Sequence, residues 1–176
     1  MTIQTISKID VTWHHLDTAI TLWFQESDPI SIHLLVSASH EIISDIIHYH
    51  GGRDPLFDNP YIKTGFKTVA KNHFRKHYNF FKHANRDPSG TIEFNSSAPE
   101  YLIVYSILGL EQLNIKHSLL RFAFFLYFGF HNPELMEENG FKSFSKDFHV
   151  EILPELKLPR REFFERLQQG LSSTTT

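Results

Sequence analysis

The chain has 176 residues, 41% hydrophobic and 21% charged, the composition of one soluble globular domain long enough to bury a core without cross-links. A formal net charge of -3 argues against a global nucleic-acid-binding surface, so any contact with RNA or DNA needs a local basic patch. The absence of cysteine excludes disulfides, thiol nucleophiles and zinc–thiolate sites, and it fits a cytoplasmic protein.

The start, MTIQTISKIDVTWHH, has no apolar segment of signal-peptide length. Ser7 to about Glu26 predicts a helix, with Ile9, Trp13, Leu16, Ile20 and Trp23 as one apolar stripe. Ser27-Asp28-Pro29 predicts a break, an N-cap and a proline at the first helical position. The second helix then runs to about His50, with Ile32, Leu35, Val36, Ser39, Ile42, Ile43, Ile46 and Ile47 inside, and Gly51-Gly52 stops it. Residues 52–63 carry two prolines and no periodicity, and predict a loop.

A third helix is expected from roughly Thr64 to Ala84, with Phe66, Ala70, Phe74, His77, Phe81 and Ala84 as its stripe and Asp87-Pro88 as its stop. Residues 89–98 predict irregular chain, with a short strand at Thr91–Phe94 as a weaker possibility. A fourth helix is expected over Pro99–Leu113 and a fifth over His117–Phe130, joined by a turn at 114–116. Asn132-Pro133 opens a helical turn to Glu138, and Pro159–Gln169 predicts a last amphipathic helix. The sum is a single all-α domain over 1–170, an antiparallel bundle of five to six helices. Its core spans about 7–135, with a C-terminal extension at 136–170 and a disordered tail at 171–176.

The third helix carries the chemistry. At about 100° per residue, Val69, His73, Lys76, Phe80 and His83 share one side, flanked by Asn72, Asn79 and Arg86. An imidazole in such a row can transfer a proton, a cation one or two turns away can hold a phosphate, and an amide can orient either. The same residues also suit a solvated helix end, because Lys82, His83 and Arg86 complement its dipole.

The segment Asn79-Phe80-Phe81-Lys82-His83 at the end of a bundle helix resembles the motif of HEPN (higher eukaryotes and prokaryotes nucleotide-binding) domains, which are small, commonly dimeric all-α bundles. That motif is an arginine, usually a polar residue after it, and a histidine four to six residues on. Asn79 matches the polar residue and His83 the histidine, while the arginine position falls on Tyr78. Lys76 and Arg75 are the nearest upstream cations, and Arg86 lies one turn beyond His83. The resemblance implies a nucleotide- or RNA-binding protein, and in its catalytic form a metal-independent endoribonuclease of a defence or toxin–antitoxin system. His83, Asn79, Lys76 and Arg86 would be its catalytic residues, with Arg75, Asn72 and Lys82 binding the nucleotide or RNA. It implies a homodimer and a cognate protein partner, with no cofactor, metal or membrane.

Two other readings remain. The Phe-rich stretch LLRFAFFLYFGF is apolar nearly all round, which suits the centre of the bundle or, slightly better, a homodimer interface. On that basis the chain is a non-enzymatic, antitoxin-like interaction protein. His33, His40 and Glu41 on the second helix, with Asp17 from the first, give a weaker metal-enzyme reading. There the default is a His33 buried at a helix crossing and bonded to a neighbouring side chain.

Overall fold

A computed structural model describes residues 3–52, 74–85, 87–135 and 154–173. Six helices account for most of them. They are α1 (Lys8–Phe24), α2 (Pro29–Tyr49), α3 (residues 74–82), α4 (Ala98–Gln112), α5 (Leu119–His131) and α6 (Arg160–Ser173). Short 3-10 turns lie at Pro133–Leu135 and Pro154–Lys157. Among the described residues there is no strand, so Thr91–Phe94 forms none.

Local chemistry sets the helix ends. Ser7 and Asp10 form a reciprocal capping box, the Asp10 amide donating to Ser7 Oγ at 3.1 Å and the Ser7 amide to Asp10 Oδ2 at 2.8 Å. Asp28 caps α2 by accepting from the Ser31 amide at 2.9 Å, with Pro29 in the first turn. Hydrogen bonds from Ser7 and from Ser31 hold the Asp10 and Asp28 carboxyls below the usual carboxylate range.

Three helices close in the same way, with a left-handed residue after the cap: Glu26 (φ 57), Gly51 (φ 76) and Asn114 (φ 55). In α2 the Gly52 amide returns to the Ile47 carbonyl and the Gly51 amide to that of His48, both at 2.9 Å. Asn114 and Ile115 repeat this pairing on Glu111 and Leu110, and Glu26 and Ser27 on Trp23 and Leu22.

α1 and α2 pack as a hairpin, and Ser39 Oγ donates to the Thr12 carbonyl at 3.2 Å across their seam. α4 packs chiefly on α2. It touches its chain neighbour α5 less, so the short link at 114–116 does not make those two helices close partners. α5 also lies on α1, where the buried Arg121 grips Asp17 with two hydrogen bonds of 2.7 and 3.0 Å.

The buried face of α1 is Thr12, Leu16, Ala19, Ile20, Trp23 and Phe24. Trp13 sits off that face, partly exposed, under the Arg121 guanidinium at 5.7 Å. On α2, His33 is fully buried, and its ring Nε2 meets the Phe74 backbone carbonyl at 3.4 Å. α2 is long and apolar enough, by length and composition, to cross a membrane. Here its Ile32, Val36, Ile43 and Ile47 are buried in the bundle, and Glu41 and Asp45 stand exposed on its other side.

Of the expected C-terminal extension at 136–170, the described residues from 154 on pack into the core. Leu156, Phe163 and Phe164 are buried, and Phe164 stacks on Phe24 with ring centres 5.0 Å apart. Tyr127 Oη donates to the Leu158 carbonyl at 2.9 Å, and Arg160 lies over the Trp23 ring at 4.3 Å. α6 therefore completes the core around Trp23, Phe24, Phe124 and Tyr127. It also continues to Ser173, so the first residues of the expected disordered tail are helical. The Phe-rich helix α5 buries Arg121 and Ala123 through Gly129 within its own chain. Its all-round apolar character is thus met by the bundle.

Candidate functional site

α3 is anchored by its inner face. Phe74 and His77 are buried, and His33, His77, Phe81 and Phe94 pack edge to face, with Phe94 centred 5.1 to 5.4 Å from the other three rings. His77 Nε2 donates to the Glu93 carbonyl at 2.8 Å, because a carbonyl can only accept. This bond and the Phe94 ring tie the segment after α3 back along the helix.

The return begins at Asp87-Pro88-Ser89-Gly90, where the Gly90 amide closes a tight turn on the Asp87 carbonyl at 3.3 Å. Asp87's carboxylate lies against Gly90, and a β-carbon there would collide with it.

Between α3 and this returning segment lies an open cleft of about 770 Å³. Lys76, Asn79, Phe80 and His83 line it from one side, and Asn85, Asp87, Thr91, Ile92 and Glu93 from the other. Three of the four expected catalytic residues therefore meet. Lys76, Asn79 and His83 stand at positions i, i+3 and i+7 of one helical face. His83 falls just past the last helical residue, its amide still bonded to the Asn79 carbonyl at 3.2 Å. Ala84 lies beyond the helix and is exposed, so it is not part of the buried stripe.

Arg75 faces away from this cleft, into a second one beside α2. Lys82 is also absent from the cleft lining, its ammonium lying 3.8 Å from the centre of the Tyr78 ring. Tyr78, at the motif's arginine position, borders the second cleft with Arg75, a different side of α3 from His83. Arg86 and Asn72 lie outside the described residues, as do residues 53–63 of the expected loop and 64–73 of the expected third helix, His73 among them.

Sequence reasoning missed Asp87, Thr91 and Glu93. They lie on irregular chain with no period, and only the His77–Glu93 bond and the Phe94 ring place them opposite His83. Asp87 and Glu93 make the cleft lining mixed in charge, with Lys76 as its fixed cation among the described residues. The metal reading does not assemble: Asp17 is committed to Arg121, His33 is in the core, and no three described His, Asp or Glu residues converge.

The class defined by fold and site is an all-α helical bundle with an open polar cleft along one helix. No protein-family model, curated protein or solved structure matches the chain, so its likeness to HEPN domains rests on the residues of α3 alone.

Proposed function

We propose that the chain is a HEPN-like protein that binds RNA or a nucleotide in the cleft along α3 and cleaves RNA there without a metal ion. The observation that carries this reading is that Lys76, Asn79 and His83 line one cleft with Glu93 among the residues opposite. Cleavage by the RNA's own 2'-hydroxyl requires a base, an acid and a cation. Glu93 takes the 2'-hydroxyl proton as that oxygen bonds to phosphorus. The bond from phosphorus to the 5'-oxygen breaks, and protonated His83 gives its proton to the leaving oxygen. Lys76 holds the phosphate and Asn79 orients the nucleotide. Lys82 and Arg75 have no part in this cleft.

The test is cleavage of a single-stranded RNA in excess EDTA. His83→Ala should slow the wild-type rate by roughly 10²- to 10⁴-fold, the usual contribution of a general acid. Glu93→Gln should slow it comparably, and Lys76→Ala and Arg86→Ala should weaken binding. Equal cleavage by wild type and His83→Ala, or none by either, removes the catalytic reading.

The alternative, a non-enzymatic antitoxin-like protein that dimerises through its Phe-rich helix, has less surface to work with. α5 leaves Leu119 exposed and Phe122 half-buried, at the edge of an apolar groove of about 450 Å³ shared with Phe163 and Leu167 of α6. Sedimentation at micromolar concentration decides it. A dimer dispersed by Leu119→Arg supports this alternative, and a monomer with no captured partner counts against it.

A further inference from the structure

Phe80 interrupts a run of polar residues along the cleft beside α3. Lys76 stands four residues before it and His83 three after, and all three line the cleft from one helical face. The neighbouring Phe81 packs with the rings of His33, His77 and Phe94. Phe80 does not join that cluster. Among the described residues its ring meets Phe81 alone, edge to face with centres 6.1 Å apart. It is half-buried and lies outside the apolar core of those residues, and it lines the cleft instead.

Across the cleft, Ile92 of the returning segment is likewise half-buried, between Thr91 and Glu93. Every other described residue that lines the cleft is polar or charged. One aromatic and one aliphatic side chain, from opposite walls, thus sit within a polar rim. This lining suits a ligand that is apolar on two flat faces, carries hydrogen-bonding groups along its edge and is anionic at one end. A nucleobase on its phosphate has that chemistry.

We infer that Phe80 is the residue by which this cleft selects an unpaired strand: one nucleobase leaves its stack and lies between Phe80 and Ile92. Its edge meets the Asn79 and Asn85 amides and the Thr91 hydroxyl, and an adjacent phosphate meets Lys76. A base inside a duplex does not enter, because stacked neighbours cover its faces and its pairing partner covers its edge. Stacking needs only a π-face, so the cleft takes any unpaired base. The inference rests on the reading of this cleft as an RNA- or nucleotide-binding site and names what the ligand presents there. Phe80 moves no proton. Stacking holds the strand equally before and during the chemical step, so Phe80 sets KM and leaves kcat to His83.

Binding of short 2'-O-methyl oligonucleotides to the full chain, read by fluorescence anisotropy, tests it without relying on cleavage, since the blocked 2'-oxygen cannot attack. Each nucleoside is replaced in turn by a tetrahydrofuran spacer, which keeps the phosphates and removes the base. At one position the spacer should weaken binding to the wild type roughly 10-fold. Phe80→Leu should weaken the intact strand by the same factor and bind that spacer strand as the wild type does. Phe80→Trp should keep full affinity, and the same sequence locked in a hairpin stem should bind no better than the spacer strand. In cleavage, Phe80→Leu should raise KM with kcat unchanged, unlike His83→Ala. Spacer strands that bind like the intact strand at every position, or Phe80→Leu that binds it normally, overturn the inference and leave phosphate-mediated RNA binding standing. Phe80→Trp that loses affinity as Phe80→Leu does marks a packing residue and also overturns it. No binding of any strand removes it together with the reading it rests on.

Discussion

His77 and His83 lie six residues apart in one segment and have opposite surroundings. His77 is buried, ringed by His33, Phe81 and Phe94, and bonded to the Glu93 carbonyl. His83 is exposed at the mouth of the cleft. The two should therefore separate cleanly on mutation. His77→Ala opens a cavity and strands a carbonyl, and should cost about 2–4 kcal/mol in denaturant unfolding. It should also loosen the returning segment and with it the position of Glu93. His83→Ala should change stability by no more than about 0.5 kcal/mol while removing any cleavage. If both changes destabilise alike, His83 is a packing residue and the cleft loses its acid. Periodicity made His77 legible as an inward residue and His83 as an outward one. It said nothing of Glu93, whose place depends on a bond across sixteen residues.

Between elements, one polar contact ties α1 to α5 and another ties it to α4. In one, α5 inserts the buried Arg121 against the partly exposed Asp17. Asp17→Ala leaves a guanidinium buried without its carboxylate and should cost about 3 kcal/mol, whereas Arg121→Met, which keeps the apolar stem's volume, should cost distinctly less. Equal losses from the two would show that the pair's geometry, not the stranded charge, dominates.

In the other, Glu100 of α4 accepts from Trp23 Nε1 at 3.1 Å. Burial raises the Glu100 carboxyl above its ordinary 4.5, only partly offset by the Trp23 hydrogen bond and the Arg160 charge. The folded state thus holds this proton more tightly than the unfolded chain does. The Glu100 contribution to stability is fully present below about 4.5, falls as pH rises through the raised pKa, and is flat above it. Glu100→Gln should match the wild type's unfolding free energy most closely in acid and gain on it as pH rises toward neutrality. A gap that is constant with pH, measured by urea unfolding from pH 3 to 7, would refute this.

For the whole molecule, α6 is the unexpected participant. Phe163 and Phe164 close the aromatic cluster over Phe24 and Tyr127, and Leu156 is buried beside them. Removing three large apolar side chains from a core costs roughly 2–5 kcal/mol each, against a total stability of about 5–15 kcal/mol. A chain ending before Pro154 should therefore lose its cooperative thermal transition by circular dichroism. If it melts like the full chain, α6 is an appendage after all.

The sequence by itself determined the helical class, the cap ahead of Pro29, the stop at Gly51-Gly52 and the outward row Lys76, Asn79 and His83. Those features rest on contacts between residues three or four apart, and local spacing records them. Only the tertiary structure decided that α5 lies on α1, that α6 belongs to the core, and that Arg75 and Lys82 leave the cleft Lys76 lines. It also decided that Glu93 lines the same cleft as His83. Each of these depends on which surfaces meet across tens of residues of chain, through Arg121–Asp17, Phe24–Phe164 and His77–Glu93. Such pairings follow from burying apolar area and satisfying buried polar groups together, and no periodicity along the chain encodes them.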